Sequence, residues 1–95
     1  MPVWKLKPID LKHHYWKWSL YQGEVVVRAA SEERAREIAF GVFLTATQKT
    51  KAGEETPGDP WAEPTLVSAT EIKDENYPDT GKEEIVGPEE ALWHR

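Results

Sequence analysis

The chain has 95 residues, a formal charge of −5, 39% hydrophobic and 11% aromatic residues, and no cysteine. That length suits one domain with a single core, and the missing cysteines exclude disulfides, thiol catalysis and cysteine-ligated zinc. No run is apolar and long enough for a signal peptide or a membrane span, so the expected setting is cytoplasmic. The charge is unevenly spread: residues 1–52 hold nine Lys/Arg against five Asp/Glu, and residues 53–95 hold three against twelve. Two such halves can attract each other within the fold, or present a basic face to an acidic partner.

In chain order, Val3–Lys7 alternates, with Trp4 and Leu6 on one side and Val3, Lys5 and Lys7 on the other, as a half-buried strand closed by Pro8. Residues 8–23 show no clean period. Tyr15, Trp16, Trp18, Leu20 and Tyr21 crowd together there, and the expected form is a loop packed over the core. A hairpin from Tyr15 to Arg28, turning near Gln22 and Gly23, is the alternative. Asp10 is placed to cap a short helical turn.

Glu24–Ala30 holds three consecutive valines, a β-branched run that favours a strand. Val25 and Val27 share one face, and Glu24, Val26 and Arg28 the other. Ser31 then offers an N-cap hydroxyl, followed by Glu32 and Glu33 where the helix dipole favours acids. Ala35, Ile38, Ala39, Val42, Phe43 and Ala46 recur at helical spacing, so the sequence predicts an amphipathic helix over residues 31–47. Phe40 and Leu44 lie off this stripe as a second apolar ridge, which faces water unless the chain covers it. Trp93 is the internal candidate for that cover.

Residues 49–64, rich in Gly and Pro, read as a mobile loop. Gly53 is a candidate for the helix stop, and Trp61 either anchors the loop to the body or stands out as a binding residue. Thr65–Lys73 is the next strand, mixed on both faces and therefore bent or near an edge. Residues 74–95 form an irregular acidic region: a turn through Pro78 and Gly81, a short strand at Glu83–Val86 returning as a hairpin, then one helical turn from Pro88. The expected fold class is α+β: two layers, one main helix on a three- to four-stranded antiparallel or mixed sheet. Were strands 24–30 and 65–73 parallel neighbours, their crossover would be right-handed.

Motifs for chemistry are sparse. Asp10, His13 and His14 supply at most two ligands on one helical face, where zinc needs three or four, so these histidines read as surface residues and no metal or cofactor is expected. The acidic pairs at 54–55, 83–84 and 89–90 read as solvated surface rather than acid–base machinery. No phosphate loop or activated nucleophile is present. The reading that remains is a non-catalytic protein-interaction or regulatory module. Its candidate surface is Phe40, Leu44, Trp16, Trp18 and Trp61, and its partner an unidentified protein or a second copy of the chain. Single-stranded nucleic-acid binding through Lys5, Lys7, Lys12, Lys17 and the interleaved aromatics is the alternative, opposed by the acidic balance of the whole.

Overall fold

A computed structural model describes residues 1–43 and 60–93, apart from the side chain of Trp18. It contains four strands, β1 (Val3–Pro8), β2 (Val25–Arg28), β3 (Val67–Ile72) and β4 (Glu84–Gly87), and two α-helices, α1 (Glu32–Phe43) and the single turn α2 (Glu89–Leu92). Short 3-10 turns occupy His14–Trp18 and Pro60–Ala62. The sheet order is β3-β1-β2-β4, and every neighbouring pair is antiparallel. With α1 laid on one face, this is the two-layer α+β architecture that the alternation and the helical stripe imply. β2 and β3 run in the same direction, but β1 lies between them, so they are not the neighbours the crossover rule concerns.

Local chemistry explains the elements. The Ser31 hydroxyl accepts from the Arg34 N–H at 3.1 Å, and the Ser31 carbonyl from the Ala35 N–H at 3.0 Å, which starts α1 where an N-cap belongs. Ala35, Ala39 and Phe43 on its stripe are fully buried against Leu6, Val25, Val27, Val67 and Ile85 of the sheet, while Ile38 and Val42 are half-buried. Ala46 and Gly53 lie outside the described residues, as does the part of the predicted mobile loop before Pro60. Pro8 closes β1 at no cost to the sheet. The β1–β2 register would aim its missing N–H at Gly23, before β2 begins. His14–Trp18 form a 3-10 turn packed over the core, not a hairpin strand. Its cap is His13, whose Nδ1 accepts the Tyr15 N–H at 3.1 Å. Asp10 instead holds the Lys12 N–H at 3.0 Å.

The second face of the sheet is also covered, which corrects the expected hairpin at Glu83–Val86. β4 pairs with β2 at the opposite edge, and residues 73–83 cross the sheet as a strap. Ile72, Val3, Arg28 and Glu84 form a row across all four strands on this face. Arg28, only 7% exposed, fastens the strap: Nε donates to the Lys82 carbonyl at 2.8 Å, Nη1 to the Pro78 carbonyl at 3.0 Å, and Nη2 to Glu84 Oε2 at 3.0 Å. Gly81, at φ 121°, lies so close that a Cβ there would sit 2.6 Å from the guanidinium. A local hairpin would have left Val3, Val26 and Arg28 open to water. The strap buries them and satisfies the guanidinium.

The two oppositely charged halves meet within the fold. Besides Arg28 and Glu84, Arg34 Nε donates to Glu83 Oε1 at 3.1 Å, and the Ala30 N–H to Glu83 Oε2 at 3.0 Å. The Ala30 bond foremost, then Arg34, holds the Glu83 carboxyl below the usual carboxylate range.

Candidate functional site

Of the five residues of the expected interaction surface, two lie in the core. Trp16 is buried, its indole Nε1 donating to the Asp10 carbonyl at 2.7 Å. Trp61 is fully buried too and meets Trp16 edge-on at 5.3 Å between ring centroids, with the Phe43 ring 5.5 Å away. Its Nε1 donates to Ser19 Oγ at 3.1 Å, and Ser19 in turn donates to the Tyr21 carbonyl at 2.6 Å. An indole with its N–H partnered inside the core is anchored there, so Trp16 and Trp61 are withdrawn from the surface. Phe40 is half-buried and packs against the core. Leu44 and the Trp18 side chain lie outside the described residues. Trp93 is 75% exposed, so it does not provide the expected cover.

Two buried arginines escaped the sequence reading. Arg36, 6% exposed, sits on the flank of α1 and ties it to the second 3-10 turn: Nη1 donates to the Trp61 carbonyl at 3.0 Å and Nε to Glu32 Oε2 at 3.1 Å. Arg28 fastens the strap. The only sequence hint of Arg28 is its place on the inward alternation of a valine strand.

What the fold leaves available is an edge and a cleft beside it. The Ile9 N–H donates to the Leu66 carbonyl at 2.7 Å, in register with the β1–β3 pairing. Alternation along an antiparallel ladder therefore turns residues 68, 70 and 72 toward β1 and leaves 67, 69 and 71 facing outward. Val67 confirms the phase, since its N–H is taken by the Glu63 carbonyl at 3.0 Å. The backbone N–H and C=O of Ala69 and Glu71, with the Val67 carbonyl, thus form the outward row of β3, and no described strand pairs with it. The opposite edge differs. β4 is short, its pairing with β2 shifts register between Val26 and Val27, and it runs into Pro88 and α2, features that blunt an edge.

At the end of β3, a cleft of about 430 Å³ opens between strand and strap. Val3, Ile72, Tyr77 and Pro78 line it, and Asp74, Glu75 and Asp79 bring carboxylates to it, while Glu71 turns its side chain to the helix face with Trp4 and Val27. The ammonium groups beside it are those of Lys73 and of the N-terminus, which donates to the Asp79 carbonyl at 3.1 Å. None of those four carboxylates is ion-paired among the described residues. In the sequence this stretch shows only turn residues and acidic character.

Elsewhere, the His13 and His14 rings stack at 4.5 Å with Tyr15 edge-on to both. Among the described residues no group of three or more His, Asp or Glu is placed to hold a metal ion, and no helix is long and apolar enough to cross a membrane. Burial foremost, then the charges of Glu90 and Glu24, raises the Tyr21 phenol above its ordinary value. Its hydroxyl donates to the Glu24 carbonyl at 2.8 Å, a structural bond. No protein-family model, curated protein or solved structure matches the chain, so a functional reading rests on this geometry.

Proposed function

We propose that the chain is a non-catalytic protein-interaction module of the cytoplasm that takes up an extended segment of a partner along the outer edge of β3. The observation that carries this reading is the outward row of backbone groups at Ala69 and Glu71. An added strand would satisfy those groups through main-chain hydrogen bonds, the part of such recognition that supplies affinity. The absence of cysteine suits a reducing compartment. The nucleic-acid alternative gains no support from the geometry: Trp16 offers no free stacking face, and Lys5 lies 3.6 Å from Glu24.

Ala69→Pro tests the proposal. The Ala69 N–H points away from β1, so proline removes the outward donor without breaking the sheet, as edge strands tolerate. A tagged chain is used to capture proteins from its source lysate, beside Ala69→Pro, first checked for an unchanged melting curve, and Phe40→Asp, at a position packed on the core and first checked for a retained cooperative unfolding transition. The expected result is a set of proteins held by wild type and Phe40→Asp and lost with Ala69→Pro. Loss with Phe40→Asp alone would move the surface to α1. Equal capture by all three would remove the edge from consideration.

A further inference from the structure

The edge of β3 and the acidic cleft adjoin each other, and the two together specify the partner's chemistry. We infer that the segment taken up by β3 is a basic one, and that it places a lysine or arginine side chain in the cleft between β3 and the strap. This rests on the reading of β3 as a docking edge and adds the selectivity that backbone hydrogen bonds cannot provide.

In an added strand, side chains alternate between the two sheet faces. A residue pairing near Ile72 on the strap side is therefore directed at the cleft, which Ile72 and Val3 line beneath the strap. Its volume of about 430 Å³ falls in the range of sites that enclose a small ligand, ample for one long side chain. The apolar stem of a lysine or arginine would lie along Ile72 and Pro78, with its charged head among Asp74, Glu75 and Asp79, as amphipathic side chains arrange themselves. Here the apolar stem and the cationic head each meet matching chemistry. An acidic or purely apolar segment would leave those carboxylates opposed or desolvated without compensation. The charge of the whole molecule, −5, also favours approach of a cationic partner over that of a second copy.

The experiment is a titration of the isotope-labelled full chain, followed by backbone amide resonances, with two acetylated and amidated peptides of eight residues. One alternates threonine with lysine, and the other threonine with glutamate. The inference expects the lysine peptide to shift the amides of Ala69, Glu71 and residues 74–79, with affinity falling as salt is raised. It expects the glutamate peptide to leave them in place. The double variant Glu75→Gln/Asp79→Asn, both positions exposed, should weaken the lysine peptide about fivefold, the scale of two solvent-accessible ion pairs. Equal shifts from both peptides, unchanged in the double variant, would overturn the charge preference and leave the docking edge standing. No shift at Ala69 or Glu71 with either peptide would overturn both. Shifts there on raising protein concentration alone would make a second copy the occupant, and overturn the basic segment.

Discussion

Arg28→Met is the most incisive perturbation of this fold. Methionine keeps an unbranched apolar stem of similar reach and removes every donor. The structure then loses three hydrogen bonds from one nearly buried guanidinium, to the carbonyls of Pro78 and Lys82 and to Glu84. Pro78 and Lys82 are exposed residues and Glu84 is half-buried, so water reaches part of what is abandoned, and each lost bond belongs near the lower end of its range. At about 1 kcal/mol per bond, the cost is about 3 kcal/mol, with little change from the stem's own packing. For a chain of this length that corresponds to a fall in melting temperature of roughly 12–24 °C. Arg28→Lys should recover only part of the loss, because one ammonium cannot reproduce a fork bound to three acceptors. Urea unfolding followed by tryptophan fluorescence measures the stability, and amide exchange at Tyr77, whose N–H is held by the Asp74 carbonyl at 2.9 Å, reports the strap. A stability of Arg28→Met within about 0.5 kcal/mol of wild type, the scale of a neutral surface change, would refute the strap as a structural element of the sheet. So would a wild-type exchange rate at that amide.

Three further outcomes follow from the same geometry. Gly41 is exposed within α1, and a Cβ there would meet nothing within 4 Å; Gly41→Ala should therefore stabilise by about 0.5–1 kcal/mol, read as a raised urea midpoint with an unchanged slope. Ser19→Ala strands the Trp61 indole N–H inside the core and should cost about 1–3 kcal/mol. Pairing it with Trp61→Phe in a double-mutant cycle should show strong coupling, and additive losses would mean the bond contributes nothing. The third concerns acid. The Glu83 carboxyl titrates lower in the fold than in the unfolded chain, so its stabilising contribution is complete above the ordinary glutamate range and fades as pH falls through the lowered value. Glu83→Gln should accordingly be the less stable protein at neutral pH, with a gap that narrows on acidification below that range. A gap independent of pH would show that the charge is not what Ala30 and Arg34 recognise.

The contact surface first expected was the least legible part of the chain. Apolar content and spacing show that Trp16 and Trp61 need shelter, but whether an aromatic finds it depends on what packs from elsewhere. Phe43 and Ser19, distant in sequence, receive Trp61. The docking edge could not be read either, because strand order decides which strand lies outermost. The mixed faces of Thr65–Lys73 pointed to an edge, without saying which side of it would stay unpaired.

Sequence by itself determined the elements governed by near neighbours. The valine run makes β2, Ser31 starts α1, the alanine-rich stripe chooses its inner face, and Pro8 and Pro88 bound what lies beside them, since backbone sterics, capping and periodicity act over a few residues. Only the tertiary structure decided the order β3-β1-β2-β4, the strap over the second face, and the burial of Arg28 and Arg36. An arginine can be buried only where carbonyls and carboxylates from distant segments converge on it. That convergence belongs to the packed chain as a whole, and no local pattern encodes it.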